Sequence, residues 1–421
     1  MLKERIKKLN ENENTANPFT FIKWLIIAGI VGVIVGLVGV GFHYAIDIAT
    51  EFRTEHTNII YLLPLGGIVI VFLYHICRLD KDKGTNYVLR AVRNNKAFSV
   101  FTAPLIFISS TITHLFGGSS GREGAALQLG GSIASAIGRL IKLDSKDERI
   151  MTMCGMSAAF AALFGTPVTA AIFSMEVASV GVMHFSAIVP CIVSAVVGTK
   201  IAMLCGVHAV SFELSGIPDF TFLSIGKIVL LSAMCAALSI LFCVVMHNSE
   251  KLYSKYISNR YIRIATGGMI VVILTLIVGC HDYNGAGMNI VEKALNGEAK
   301  YEAFILKILF TAVTLGAGYK GGEIVPVFFT GATFGNVAGK LIRLSPSFGA
   351  GIGLISLFCG VTNCPITSVV LSVELFGGES IMYFMLSCAI SYLLSGYHGL
   401  YKEQKIIYSK LKPEFIDQKA Q

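Results

Sequence analysis

Charged residues are scarce in this chain of 421 residues. Asp, Glu, Lys and Arg make up 14% of the sequence, and hydrophobic residues make up 54%. A soluble globular domain carries roughly 25% charged residues. The mean hydropathy of +0.69 agrees with this deficit. The composition excludes an ordinary soluble domain and predicts a protein of the membrane class.

Paired cysteines are also lacking. The chain has ten cysteines, none spaced as CxxC. Most lie in apolar runs, among them Cys191, Cys235, Cys243 and Cys388, where a cysteine acts as a small hydrophobic residue. We expect neither a disulfide framework nor a metal site, and no cofactor.

Signatures of other function classes are missing as well. The sequence has no HExxH motif and no carboxylate pair in a protease-like setting, so we expect no enzyme and assign no catalytic residue. The basic residues behind the net charge of +8 are scattered among apolar runs. They favour ordinary enrichment of Lys and Arg on the cytoplasmic side over nucleic-acid binding.

The N-terminal letters MLKERIKK give no sign of a cleaved signal peptide. A polar stretch follows them instead of an apolar run, and no small-residue cleavage site is evident. The basic cluster predicts a cytoplasmic N-terminus in a multi-pass protein of the cell membrane.

The chain contains long apolar runs. One begins at Phe21 as FIKWLIIAGIVGVIVGLVGVGF and another at Phe222 as FLSIGKIVLLSAMCAALSILFCVVM. A membrane span needs about 20 apolar residues, and several further runs fall short of this or are broken by Gly or Pro. Broken backbone at membrane depth is tolerated only inside protein or beside a polar cavity. We therefore expect an all-α polytopic membrane protein with tilted and broken helices in the lipid bilayer.

The sequence repeats itself at an offset close to 200 residues. GTNYVLRAV begins at Gly84 and GMNIVEKAL at Gly287, and each of Pro167 and Pro365 is followed nine residues later by a glutamate. The stretch 121–123 (Gly-Arg-Glu) recurs as 321–323 (Gly-Gly-Glu) at an offset of 200. Four landmarks in one order indicate a duplication.

The duplication divides the chain into five predicted parts. Membrane halves of this kind are often inverted relative to each other, with the substrate site at their interface. The parts are a cytoplasmic segment 1–20, a first repeat 21–206, a connecting loop 207–219, a second repeat 220–399, and residues 400–421 as a final helix start and short cytoplasmic tail without a regulatory domain.

The stretch GGSSGREGAALQLGG, residues 117–131, places an arginine and a glutamate in a glycine-rich break. The residues after the break can continue as a helix, so Glu123 lies near a helix N-terminus, where free N–H groups and the helix dipole bind anions. A buried ion pair with Arg122, or simple capping, is the alternative. An ionisable residue at membrane depth favours function.

The second half offers GAGYKGGEIVPVFFTGATFGN, residues 316–336, where Glu323 matches Glu123 in the repeat at an offset of 200. We expect the two carboxylates to face one central region and to relay protons there; a loop glutamate exposed to solvent is the alternative. Thr85 and Asn86 can donate hydrogen bonds to an anion or merely cap a helix. Tyr401, like Tyr397, can close an anion site or lie at the membrane interface.

These residues resemble one family. GSSGREGAALQLGG is similar to the GREGP segment of the CLC chloride channels and proton-coupled anion exchangers, and the duplicated Pro-x8-Glu helices, the loop at Gly84 and the final tyrosines match in order over about 20 to 400. The resemblance implies an inverted-repeat helical fold, one pore per subunit and a homodimer. It implies gating and proton transfer by Glu123 and Glu323. The anion-binding residues that we predict are Thr85, Asn86, Gly121, Arg122, Gly124, Ile324, Val325 and Tyr401.

One branch of the family fits best. GYKGGEIVPVF, residues 318–328, is close to the GYKGGEVTPLF signature of the bacterial fluoride/proton antiporters, and Val177 stands where chloride/proton exchangers have an inner glutamate. Val325 departs from the threonine of that branch, and Thr85 from its methionine or asparagine. The resemblance implies export of fluoride in exchange for protons; a chloride/proton exchanger or a chloride channel remains the alternative.

Overall fold

Sixteen α-helices carry the fold of the residues that the structure describes, 18–80, 84–94 and 99–421, in a computed structural model of the chain. The basic cluster MLKERIKK lies outside the described residues. The first repeat contains α1 (Pro18–Glu55), α2 (Leu63–Ile76), α3 (Thr85–Asn94), α4 (Thr102–Leu115), α5 (Glu123–Leu140), α6 (Ser145–Phe164), α7 (Pro167–Glu176) and α8 (Ile188–Leu204). Short 3₁₀ turns, Thr57–Leu62 and Phe185–Ala187, precede α2 and α8.

The second repeat has the same sequence of elements. It contains α9 (Phe222–Tyr256), α10 (Arg260–Val278), α11 (Met288–Leu295), α12 (Ala303–Ala317), α13 (Ile324–Leu341), α14 (Pro346–Thr362), α15 (Pro365–Phe376) and α16 (Ile381–Leu394). In the described ranges five segments are long and apolar enough to cross a bilayer. The expected mixture of long and short apolar helices is confirmed.

The centre of the core is formed by the paired helices α5 with α6 and α13 with α14, most of whose residues are buried. Glycines let these backbones touch: a Cβ placed on Gly130 would lie 2.6 Å from the Cβ of Ala159, and one placed on Gly335 would lie 2.8 Å from the Cα of Gly353. Close approach through small residues is how helices pack tightly in lipid, where apolar burial gives little drive.

Reciprocal contacts between the halves reveal the two-fold relation. The Glu176 carboxylate, at the end of α7, accepts hydrogen bonds from the backbone of Ile366 and Thr367 at the start of α15. In return the Glu374 carboxylate of α15 accepts from the backbone of Val168 (3.0 Å) and of Thr169 (2.8 Å) at the start of α7. Such self-complementary pairing is what a two-fold axis produces. The glutamates nine residues after Pro167 and Pro365 therefore cap each other's helices.

The chain ends in strands, and the predicted helix start within 400–421 is wrong. Residues Ser179–Val180 (β1) pair in parallel with Lys405–Tyr408 (β2), which pairs antiparallel with Phe415–Lys419 (β3). Gly396, at φ +57°, ends the helical run of α16. The extended chain of β2 pairs with the edge of β1, and the side chain of Ile406 is fully buried beside Val180 and Ala420.

Candidate functional site

The starts of α5 and α13 meet at the centre of the molecule. Gly121 donates its N–H to the carbonyl of Gly322 at 2.6 Å, and Gly322 donates back to Gly121 at 2.6 Å, which forms an isolated antiparallel bridge. The helices begin immediately after it, at Glu123 and Ile324. The first-turn N–H groups of a helix have no intrahelical acceptor, so two positive helix ends converge on one region.

The Glu123 carboxylate lies at the start of the opposite helix. Its side chain is fully buried, and Oε2 accepts from the backbone N–H of Val325 at 3.4 Å. Oε1 has no hydrogen-bond partner among the described residues. A buried polar oxygen without a partner costs about 1–3 kcal/mol. The carboxylate therefore fills an anion-binding position at α13 while one of its oxygens is left for a proton or a donor.

The Glu323 carboxylate lies close to the start of α5. A Cβ placed on Gly124 would lie 3.3 Å from Glu323 Oε2 and 2.7 Å from Thr85 Oγ1. Glu323 Oε2 is buried and has no hydrogen-bond partner in the described part of the chain. Thr85, Gly124 and the Glu323 carboxylate thus lie close together. Each half supplies a carboxylate to the helix start of the other half.

The register of the repeat at this point is one residue away from the predicted one. The bridge pairs Gly121 with Gly322, and the helix starts Glu123 and Ile324 also differ by 201 residues, not 200. Glu323 therefore has the backbone position of Arg122, since both residues precede a helix with similar dihedral angles (φ −97° and −107°). Glu123 and Glu323 are therefore not equivalent positions of the repeat, although both are glutamates. The two carboxylates converge through their side chains and not through equivalent backbone positions.

Two cavities approach this centre. The larger, about 510 Å³, is called the Arg122 cavity; Glu123 and Val325 line it together with Ile46, Asp47, Thr50, Arg53, Thr54, Thr57, His114, Arg122, Phe164, Val210, His281, Asp282, Asn284, Ala286, Gly287, Met288 and Asn289. The smaller, about 360 Å³, is called the Thr85 cavity, and its lining includes Thr85, Asn86, Gly321, Glu323 and Glu250. Each carboxylate faces its own cavity, and the bridged helix starts lie between the cavities.

Arg122 is engaged by side chains of α1. Its Nη1 lies 3.0 Å from Asp47 Oδ1 and 2.8 Å from His43 Nδ1, and Asp47 also pairs with His43 Nε2 at 3.0 Å. The arginine therefore fixes the segment before α5 to α1. An anion at Arg122 would have to share the guanidinium with these partners. The backbone N–H of Gly121, another predicted ligand, is used by the bridge to Gly322.

The other predicted ligands surround the Thr85 cavity or lie close to the carboxylates. Thr85 is buried, whereas the side-chain oxygen of Asn86 accepts from the backbone of Glu403 at 3.0 Å. Tyr401 is 1% exposed, and its hydroxyl has no partner in the described ranges. Tyr397 pairs with Ser409 Oγ at 2.7 Å instead. Of the two tyrosines, Tyr401 is the one with an unused phenol.

The tail segment that holds Tyr401 is fixed by charge. Glu403 binds Arg90 and Arg93 of α3 and also Lys419 of β3. Although burial opposes ionisation, hydrogen bonds from Arg90 and Lys419 hold the pKa of Glu403 below its usual value. The carboxylate stays ionised near neutral pH and connects the tail to the helix that carries Thr85.

Sequence reasoning missed three polar side chains near the centre. Ser120 has a buried hydroxyl without a partner among the described residues, and Arg53 lines the Arg122 cavity. Lys307 is fully buried in α12. A lone lysine within the apolar run FILKILF is a signal that the sequence shows. The sequence around Ser120 and Arg53 gives no such signal.

Similarity to known proteins covers nearly the whole chain. The family model described as voltage gated chloride channel matches residues 66–396. A chloride/fluoride channel protein of Pseudomonas syringae pv. tomato is 32% identical over 395 residues, which are 92% of this chain and 87% of the relative. The crystal structure of a CLC-type fluoride/proton antiporter superposes with a TM-score of 0.89 at 26% identity, covering 93% of this chain and 99% of that one. A slow cyanobacterial Cl⁻/H⁺ antiporter shares the fold, with a TM-score of 0.75 at 20% identity over 88% of this chain and 94% of its own.

Proposed function

Because the chain belongs to the voltage gated chloride channel family, we propose that it is a proton-coupled antiporter that exports fluoride in exchange for protons across the cytoplasmic membrane. The carrying observation is the crossed pair of carboxylates, Glu123 at the start of α13 and Glu323 at the start of α5. Each has an oxygen without a partner among the described residues. Each also faces a different cavity.

The arrangement suggests how anion and proton movements are coupled. An ionised Glu123 carboxylate occupies the N–H groups at the start of α13 and excludes other anions from them. Protonation removes its charge, so an external anion then competes for the same donors. Glu323 holds the corresponding place toward the Thr85 cavity and passes protons on that side. Proton loading and anion binding are in this way mutually dependent at one site.

Fluoride as the substrate is supported by chemistry and by likeness. Fluoride is small and strongly hydrated, and charge-assisted hydrogen bonds are the strong ones that replace such hydration. The donors available are helix N–H groups, the Thr85 hydroxyl, the Tyr401 hydroxyl and a protonated carboxyl. The names of the Pseudomonas relative and of the superposed antiporter include fluoride. Val325 supplies a backbone N–H but no side-chain hydroxyl.

The orientation and assembly belong to the same proposal. With residues 1–20 in the cytoplasm, α1 crosses the membrane once and ends at Glu55. The Arg122 cavity, lined by Asp47, Thr50 and Arg53 of that last part of α1, then opens to the outside and the Thr85 cavity opens to the cytoplasm. We propose a homodimer in which each subunit has its own pore.

Paired flux measurements test the function. Purified protein in liposomes loaded with fluoride is expected to release the anion while protons move inward against their gradient, with an external fluoride electrode and an internal pH dye as readouts. Chloride-loaded liposomes should show much slower efflux. Equal efflux of chloride would contradict the fluoride assignment and favour the chloride/proton exchanger. Anion efflux without uphill proton movement would identify a channel.

Gly322→Ala tests whether the bridged helix starts form the anion site. A Cβ on Gly322 would lie 2.5 Å from the backbone N of Gly124 and 3.0 Å from that of Glu123. Backbone at such distances has to move, and a displacement of about 1 Å at a binding centre is costly. We expect fluoride efflux to fall by at least about tenfold. Gly226→Ala is the control, because a Cβ there meets nothing within 4 Å; wild-type efflux in Gly322→Ala would place the anion elsewhere.

A further inference from the structure

Lys307 is a buried lysine without an acidic partner in the part of the chain that the structure describes. It is fully buried, and among the described residues it forms no ion pair. Nζ donates to the carbonyls of Gly285 at 2.7 Å and Tyr283 at 3.2 Å, and it lies 5.1 Å from the centre of the Phe329 ring. A buried charge is costly unless dipoles or counter-charges stabilise it. Carbonyls and a ring face satisfy its donors, and no acidic side chain among the described residues pairs with it.

Arg53 contacts the same loop, residues 279–287 between α10 and α11. Its Nη1 donates to the carbonyl of His114 at 3.0 Å, which uses one of its five N–H groups. The guanidinium packs on the Cα of Gly285, where φ is +60°. No acidic partner of Arg53 occurs in the described part of the chain. Arg53 and Lys307 therefore contact one loop, and Arg53 lines the Arg122 cavity.

The acidic side chains of this cavity do not neutralise the pair. Asp47 is engaged by Arg122 at 3.0 Å, and Asp282 by Lys300 at 2.7 Å. The remaining carboxylate, Glu123, belongs to the gate. When Glu123 is protonated, the Arg53 guanidinium at the cavity wall has no carboxylate partner among the described residues, and its field raises the local concentration of anions.

Hydrogen-bonding groups for an anion are present near Arg53 and Lys307. The loop leads into α11, whose N-cap Gly287 lines the cavity together with Met288 and Asn289. The first N–H groups of this helix have no intrahelical acceptor. His114 is 1% exposed and also lines the cavity. Because its Nε2 faces the Gly121 carbonyl at 3.3 Å, Nε2 carries the proton and Nδ1 is a bare acceptor, without a partner among the described residues.

We propose that a small inorganic anion binds in the Arg122 cavity between the Arg53 guanidinium and the N-terminus of α11, at a site separate from the crossed carboxylates. The guanidinium and the helix N–H groups donate to the anion. Lys307 does not touch the anion; it positions the loop. That the anion is fluoride rests on the proposed function. The site holds the anion on the outer side of the gating carboxylate Glu123.

Arg53→Gln tests the site through the fluoride KM on each face of the membrane. The amide can still donate to the His114 carbonyl, but the charge is lost. In right-side-out membrane vesicles we expect the KM for external fluoride to rise about tenfold, the scale of one lost charge close to a partly shielded anion. In inside-out vesicles the KM should change by less than about twofold, because the Thr85 cavity keeps its charges. Arg53→Lys should restore most of the affinity.

Controls separate the site from a purely structural role. Lys293→Gln, at the exposed far end of α11, should leave both KM values unchanged. If Arg53→Gln lowers only thermal stability, or shifts both faces equally, the site does not exist.

Failure of the proposed function is distinguishable from failure of the site. If wild-type vesicles move no fluoride, titration calorimetry of the purified protein with sodium fluoride and sodium chloride tests anion binding directly. Loss of one binding event in Arg53→Gln, with no such loss in Lys293→Gln, would then support the site without the transport proposal. Identical titrations of wild type and Arg53→Gln would overturn it.

Discussion

Glu123→Gln is expected to lower fluoride-driven proton uptake by on the order of 10²-fold, the usual contribution of a positioned proton-transfer group. Glutamine keeps the shape of the side chain and can still lie at the start of α13, but it cannot gain or lose the proton. The wild-type carboxylate accepts from Val325 N–H and has its second oxygen unpartnered within the described residues. The readout is internal pH in proteoliposomes under a fluoride gradient.

An exposed glutamate gives the matched control for this variant. Glu292 lies on the solvent-exposed side of α11, and Glu292→Gln should leave proton uptake unchanged. Residual fluoride flux in Glu123→Gln is compatible with the mechanism, because the amide no longer competes as an anion. Proton uptake at the wild-type rate in Glu123→Gln would show that this carboxylate is not the proton carrier.

Glu323→Gln is expected to reduce proton uptake by a similar order, about 10²-fold, since its carboxylate faces the Thr85 cavity on the opposite side of the bridge. Two groups that act in one relay are not additive. The double variant, with glutamine at both positions, should therefore be no slower than either single one. The measurement is the same proton uptake, made on all four proteins.

Independent proton pathways would give a different pattern. In that case the two losses would multiply, and the double variant would be roughly 10²-fold slower than each single one. Glu298, exposed in the loop after α11, supplies the control Glu298→Gln. A Glu323→Gln protein with undiminished proton uptake would remove Glu323 from the relay and leave it as a polar lining of the Thr85 cavity.

Much of the fold was predictable because its signals are local in the sequence. The apolar runs, the breaks at glycine and the repeated Pro-x8-Glu helices identify a duplicated membrane protein, and the fold and family are confirmed. The terminal strands were missed because the segment after Tyr401 is short and polar. Their extended form depends on the edge of β1, more than 220 residues earlier in the chain.

The candidate site was predictable in its residue types but not in its geometry. Equal letters paired Glu123 with Glu323, whereas the hydrogen bonds between Gly121 and Gly322 set the register one residue further on. Arg122 resembled an anion ligand until its contacts with Asp47 and His43 of α1 were visible. Sequence spacing cannot give such pairs, because they join helices far apart along the chain.

The sequence by itself determined the membrane class, the duplication and the two glycine-rich helix starts that carry Glu123 and Glu323. Composition, the length of apolar runs and the repeat offset are properties of the sequence itself, so they require no three-dimensional structure. Only the tertiary structure decided that each carboxylate lies at the other half's helix, that Arg122 pairs with Asp47, and that Arg53 and Lys307 have no acidic partner among the described residues. Those outcomes depend on the balance of charge and hydrogen bonds across helix interfaces, where the distance between atoms, and not the separation in sequence, sets the energy.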